Sequence, residues 1–436
     1  MKALLNVPAK LATSSLVALA LSTTACSVNL AEKEVPSPKI DLASIEKDMA
    51  LGSKEKAEIL AASAERLLTP ASFMYAAEVA KMALTHDPQN TKARFINAAL
   101  GPVMELKGVV TRIEPLVKTR PENAGEYYQF KASLQKYNAD RSVTEFLLKG
   151  AADITTEREA QELIARVILK VDEFRRTMKD LKNEELTLTI SEASIKKEML
   201  DEAQHRCWSR TAPGVYEKAA ECDLSAAYER KLNRADFEGL QQLAAGYQVY
   251  MTVLNAWDLT GLYSKNLSGV SSERYFEILA LDSRFGKLRE TNGMNLIPEA
   301  AQDAVIGVRY AQKMQAELCP NGYETPSNRP GSFLENGFCV ENNDVVEKTL
   351  AIVEEMAKGG FVNFTREETQ LPIDVKANAF KFFETPVRDL RDLQPTSKNA
   401  CGQVTSIQDG TVGGVFANGE MNLLLAKASE ESCKSH

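Results

Sequence analysis

The sequence predicts an all-α protein in which helical hairpins are followed by a second helical region with long loops and disulfides. Apolar residues recur at spacings of three and four along most of the chain, as they do on the buried face of an α-helix. From Glu157 to about Leu181 one such stripe lies between charged residues: Leu163, Val167, Val171, Phe174, Met178 and Leu181. Period-two alternation is rare. It occurs at Leu186, Leu188 and Ile190, where it predicts one short strand or an extended linker.

The chain begins with the features of a secretory signal. Lys2 and Lys10 precede a short apolar run that ends in small residues before Cys26. The run is too short and too rich in Ser and Thr to cross a bilayer, which takes about 20 apolar residues. This N-terminus therefore predicts export.

The tetrapeptide Thr23-Thr24-Ala25-Cys26 resembles the lipobox of bacterial lipoproteins, with Thr23 where that family usually has Leu. The resemblance implies that Cys26 receives a diacylglyceryl group and becomes the mature N-terminus. Cleavage by ordinary signal peptidase after Ala20 or Ala25 is the alternative. Ser27, directly after the cysteine, implies sorting to the outer membrane, facing the periplasm.

The cysteine count is consistent with lipidation, because removing Cys26 from the seven cysteines leaves an even set. Closing a short loop costs the least entropy, so neighbouring cysteines are the favoured partners. The predicted disulfides are Cys207–Cys222, Cys319–Cys339 and Cys401–Cys433. Free thiols at some of these positions are the alternative.

Seven Leu, Ala and Pro residues in the first half of the chain lie at spacings of 4, 3, 9, 4, 3 and 5: Leu60, Ala64, Leu67, Ala76, Ala80, Ala83 and Pro88. This pattern resembles the tetratricopeptide repeat, in which two antiparallel helices pack through small residues and a proline follows the second helix. Ala76, Ala80 and Ala83 share one helix face, so a partner helix can approach closely.

A second unit follows the first, because Arg120-Pro121-Glu122-Asn123 echoes Asp87-Pro88-Gln89-Asn90 at nearly the family period of about 34 residues. Gly101, Pro102 and Pro115 interrupt its interior. The resemblance covers roughly residues 50 to 130 and implies an α-solenoid with a concave face for protein partners. An irregular array of helical hairpins is the alternative.

Composition changes along the chain predict four parts. Residues 1–25 are the signal peptide, and residues 26–45 are the lipidated cysteine and a polar tether. Residues 46–185 form the repeat domain, and residues 186–436 form a helical, disulfide-bearing domain.

An aromatic-rich helical face stands out in the second domain: Leu240, Leu243, Tyr247, Tyr250, Leu254 and Trp257. We expect this face to pack against the core. The alternative is a concave surface for an apolar ligand, lined by Tyr247, Tyr250 and Trp257.

Nothing in the sequence predicts a catalytic site, a metal site or a cofactor. The three histidines lie far apart, and neither C-x-x-C nor the common hydrolase, zinc-protease and nucleotide-binding motifs occur. The formal net charge is −8 without a basic cluster, which argues against a nucleic-acid partner. Paired carboxylates are the one catalytic class that remains open, since they lack a specific sequence signature.

The leading functional prediction is a membrane-anchored scaffold or adaptor that binds other cell-envelope proteins and touches the membrane only through its lipid. Outer-membrane lipoproteins with tetratricopeptide repeats are similar in plan, and they include a component of the β-barrel assembly machinery. One alternative is a lipoprotein that binds an apolar small ligand for a transporter. The other is a carboxylate-based hydrolase of envelope polymers.

Overall fold

The computed structural model describes residues 51–69, 72–119, 124–136, 141–189, 208–212, 215–218, 229–232, 234–265, 272–290, 293–313, 344–369 and 371–434. Within these ranges the chain is mostly helical, as predicted. The predicted signal peptide, Cys26 and the predicted tether lie outside the described residues.

The helices of the first half are α1 (Ser53–Arg66), α2 (Phe73–His86), α3 (Thr91–Glu105), α4 (Val109–Arg112), α5 (Glu114–Lys118), α6 (Ala124–Lys136), α7 (Arg141–Leu148) and α8 (Glu157–Leu181). Those of the second half are α9 (Arg234–Asn255), α10 (Ser272–Ala280), α11 (Ile297–Lys313), α12 (Asp344–Ala357), α13 (Arg366–Thr369), α14 (Lys381–Glu384) and α15 (Glu420–Lys434).

The described strands form antiparallel pairs: β1 (Leu186–Thr189) with β4 (Glu229–Leu232), β2 (Trp208–Ala212) with β3 (Val215–Lys218), β5 (Val362–Phe364) with β6 (Val375–Ala377), and β7 (Pro395–Lys398) with β8 (Val404–Ile407).

Helices α1 and α2 form the first predicted hairpin. Ala76, Ala80 and Ala83 are fully buried on the inner face of α2. The hairpin is antiparallel, because Ser53 Oγ at the start of α1 donates a hydrogen bond to the carbonyl of His86 at the end of α2, at 2.7 Å. Helix α2 ends at His86, two residues before Pro88, because proline disfavours helical geometry at the preceding residue.

Replacing Ala80 with Leu is expected to destabilise the protein by about 1–3 kcal/mol, because three added carbon atoms would fill space that α1 occupies. The adjacent Lys81 is exposed, and Lys81→Leu should change the free energy of unfolding by no more than about 0.5 kcal/mol. Urea unfolding of the full chain measures both values. Equal losses for the two variants would contradict close packing at Ala80.

The second predicted unit begins with a long helix but continues irregularly. Helix α3 includes Pro102, and the chain after it forms only the short helices α4 and α5. Gly108 separates α3 from α4 in the left-handed region, at φ +68°, and Pro115 lies in the first turn of α5. These residues break the helix where a regular repeat would continue it.

Helix α8 is the long helix predicted from the apolar stripe, and its position is central. Thr156 Oγ1 accepts a hydrogen bond from the Glu159 amide, and the Glu159 carboxylate accepts one from the Thr156 amide, which completes a capping box. Its apolar stripe is buried between helix α3 on one side and helix α9 on the other. The prediction that this stripe belongs to the core is confirmed.

One hydrophobic core joins α1, α2 and α3 to residues on both sides of position 185, where the sequence predicts a domain boundary. Leu186 and Leu188 of β1, Leu232 of β4 and Phe237 of α9 are buried in it. The period-two alternation at residues 186–189 therefore corresponds to a strand. Its partner β4 lies about 40 residues further along the chain, which the local pattern does not indicate.

Of the predicted pairs, the structure joins Cys401 to Cys433, which connects the β7–β8 turn to the end of α15. The predicted pairs Cys207–Cys222 and Cys319–Cys339 lie outside the described residues.

Candidate functional site

A polar cleft of about 530 Å³ opens where the first hairpin meets β1. It is bordered by the first turns of α1, the turn between α2 and α3, the start of α3, and the start of β1. Its lining is Lys54, Glu58, Asp87, Gln89, Asn90, Thr91, Lys92, Glu185, Leu186 and Thr187. Charged and amide side chains dominate this lining, so the cleft suits a polar partner better than an apolar ligand.

The turn that the sequence identified as a repeat terminator forms one wall of the cleft. Asp87 Oδ1 accepts a hydrogen bond from the Gln89 amide at 2.9 Å. Asn90 caps α3, because its Oδ1 accepts a hydrogen bond from the Ala93 amide at 2.9 Å. These bonds hold the turn, and they direct the first turn of α3 toward the cleft.

Glu65 of α1 connects the three elements around the cleft. One carboxylate oxygen pairs with Lys92 Nζ of α3 at 2.5 Å, and the other accepts a hydrogen bond from the Thr189 amide of β1 at 2.5 Å. The Glu65 side chain is only 8% exposed. A buried carboxylate needs such partners, and here they fix β1 beside the hairpin.

A second polar region lies inside the protein, where α8, α9 and α11 meet. The Arg175 side chain of α8 is fully buried and donates hydrogen bonds to Asp172 of α8 and Asp303 of α11. Gln248 Nε2 of α9 donates to Asp172 Oδ1 at 3.0 Å. Lys179 Nζ lies 2.8 Å from Asp303 Oδ1, and this hydrogen bond raises the pKa of Lys179.

The buried face of α9 continues this polar region. Gln241, Gln248, Thr252 and Asn255 are at most 2% exposed. Each has one buried side-chain atom without a hydrogen-bond partner among the described residues: Gln241 Oε1, Gln248 Oε1, Thr252 Oγ1 and Asn255 Nδ2. Ordered water can satisfy such atoms in a polar interior.

The packing predicted for the aromatic face of α9 is wrong for part of that face. Leu243 and Tyr250 are exposed, at 54% and 38%, whereas Leu240 is buried, as is Trp257, which lies just beyond the end of α9. The physical reason is the charge on the neighbouring helices. The buried Asp172 carboxylate needs polar partners, and Gln248 of α9 donates to it, so this side of α9 faces inward and Leu243 and Tyr250 remain at the surface.

The three residues of the predicted apolar ligand site do not share a surface. Trp257 lies in the core, where its Nε1 donates a hydrogen bond to the Val387 carbonyl at 2.8 Å and its ring packs 5.5 Å from that of Phe382. Tyr250 faces outward, and Tyr247 packs against a different part of the core.

Comparison with known proteins gives no match to a protein-family model, a curated protein or a solved structure.

Two further findings concern the described part of the chain. None of its helices combines the length and apolar character of a bilayer span. In the same residues, His, Cys, Asp and Glu do not form a group of three placed to hold a metal ion.

Sequence reasoning missed the cleft and the buried polar region. The Asp87-Pro88-Gln89-Asn90 turn was a visible signal, but β1, which completes the cleft, comes about 100 residues later. Glutamines on the inner face of α9 were visible too. One of them, Gln248, is buried against Asp172, which lies on another helix.

Proposed function

We propose that this protein is a cell-envelope scaffold or adaptor that binds other envelope proteins. Cys26 carries its lipid anchor, and the anchored protein faces the periplasm from the outer membrane. The helical hairpins belong to an α-solenoid of the tetratricopeptide-repeat type. The observation that carries the proposal is the polar cleft at the first hairpin, bordered by α1, the α2–α3 turn and β1.

Three properties of the cleft support protein binding. It is open at the surface, it offers charged side chains of both signs, and an exposed strand residue, Thr187, contributes to its wall. Protein interfaces of the adaptor kind combine such charges with backbone groups. The buried position of Trp257 favours this proposal over a cavity for an apolar ligand.

The test is cross-linking in intact cells, followed by purification from membranes and mass spectrometry of the attached proteins. Wild-type protein should recover a defined set of envelope proteins, and Cys26→Ser should leave the membrane fraction and lose most of them. Recovery of the protein alone, together with a small apolar molecule, would contradict the scaffold.

A charge-reversal variant distinguishes partner binding through the cleft from membrane anchoring through the lipid. Glu58 lies in the cleft, whereas Glu78 of α2 is also exposed but is not among the residues that line it. Glu58→Lys should reduce the recovery of partners several-fold while the protein stays in the membrane fraction. Glu78→Lys, the matched control, should recover them at the wild-type level.

A further inference from the structure

Strand β1 uses only one of its edges to pair with β4. The pairs run antiparallel, with Thr187 opposite Lys231 and Thr189 opposite Glu229. The Thr189 amide donates to Glu65 Oε1, so it points away from β4. Alternate residues of an antiparallel strand direct their backbone groups to the same edge. The N–H and C=O of Thr187 therefore also point away from β4.

Thr187 and Thr189, the two residues on the outer edge of β1, differ in whether another group binds their backbone. At Thr189 the Glu65 carboxylate takes the place that the carbonyl of an added strand would occupy. Thr187 is exposed, lines the cleft, and makes no such bond with the described residues. Among the residues that the structure describes, the strand edge is thus covered beside Glu65 and open in the cleft.

We propose that the cleft accepts an extended peptide segment of a partner protein, which pairs with the outer edge of β1 through the N–H and C=O of Thr187. This inference rests on the proposed scaffold function and names the kind of partner that it binds. Addition of a strand to a sheet edge draws affinity from main-chain hydrogen bonds and specificity from neighbouring side chains.

The charges around Thr187 select a peptide that carries Lys or Arg. Glu58, Asp87 and Glu185 line the cleft, against Lys54 and Lys92. The Lys92 ammonium is already neutralised by Glu65. The lining therefore leaves an excess of carboxylates, and a basic side chain on the bound segment would complement them.

Replacing Thr187 with proline tests how much the backbone N–H of this residue contributes to peptide binding. Thr187→Pro removes the outward N–H, and it should leave the β1–β4 ladder in place because proline is tolerated where the strand N–H faces outward. Thr187→Ala keeps that N–H and serves as the matched control. Thermal unfolding followed by circular dichroism establishes that each variant is folded.

The probe is a displayed library of random heptapeptides, selected on the purified full chain. Enriched peptides should carry Lys or Arg, and a fluorescent synthetic copy allows titration. We expect about five- to tenfold weaker binding to Thr187→Pro, the range that corresponds to the loss of one main-chain hydrogen bond, and no more than about a twofold change for Thr187→Ala. Should Thr187→Pro fail to fold, Glu58→Lys with Glu185→Lys is the second variant, with the same expected loss.

Hydrogen exchange gives an independent readout, because the Thr187 amide should exchange more slowly when the peptide is bound. Equal peptide binding by wild type and Thr187→Pro, an unchanged exchange rate, or a selection without basic peptides would overturn the inference. Envelope partners that cross-link equally to wild type and Thr187→Pro would overturn edge pairing and leave the scaffold standing. Wild-type protein that recovers no partners would overturn the scaffold itself.

Discussion

Replacing Arg175 with Leu is expected to reduce the free energy of unfolding by about 3–5 kcal/mol. The guanidinium is fully buried and binds Asp172 and Asp303, whose side chains are at most 10% exposed. Without Arg175 two buried carboxylates would lose their main cation, and the desolvation of each would no longer be offset. Lys179 would remain near Asp303, and Arg176 near Asp172, so compensation would be partial.

Arg176 provides the matched control, because it is the next residue of α8 and also contacts Asp172. It lies 2.8 Å from Asp172 and 2.8 Å from Glu299, but its side chain is 51% exposed. Arg176→Leu should cost no more than about 1 kcal/mol, since exposed ion pairs contribute little. Chemical unfolding of the full chain measures both variants. A loss for Arg175→Leu as small as that for Arg176→Leu would show that the network contributes little to stability.

Replacing Trp257 with Ala is expected to destabilise the protein by about 3–5 kcal/mol, the usual cost of removing a large buried aromatic side chain. The indole packs on Phe382 and is buried with Met294 and Val387. Its Nε1 hydrogen bond to the Val387 carbonyl would be lost as well. The indole thus joins the end of α9 to residues about 130 positions further along the chain.

Tyr250 is the comparison for Trp257, because the sequence placed both in one hypothetical ligand site. Tyr250→Ala should cost about 1 kcal/mol, clearly less than Trp257→Ala, since Tyr250 is 38% exposed whereas Trp257 is only 7% exposed. Thermal unfolding of both variants measures the difference. If Trp257→Ala were as stable as wild type but lost a bound apolar molecule, the ligand hypothesis would be favoured over the core position.

Local sequence patterns predicted the elements whose signals lie within one helix. The apolar stripe of α8 and the small-residue face of α2 required only the helical period, and both faces are buried in the fold. The end of α2 at Asp87-Pro88 could be predicted from the conformational restriction that proline imposes on the preceding residue. These signals are short-range because each rests on the geometry of a single element.

The face that α9 buries could not be predicted in this way. Its apolar residues were expected in the core, yet Leu243 and Tyr250 are exposed while Gln248 is fully buried. Periodicity identifies two faces of a helix, but the neighbouring helices decide which face is buried. Here those neighbours present Asp172, Arg175 and Asp303.

The sequence by itself determined the helical class, the α1–α2 hairpin and the extent of α8, because spacing and capping act over a few residues. The predicted disulfide Cys401–Cys433 also came from local spacing. Only the tertiary structure decided the pairing of β1 with β4, the buried ion network and the cleft. Each of these joins residues that are far apart in the chain, and their contacts depend on how the elements pack together.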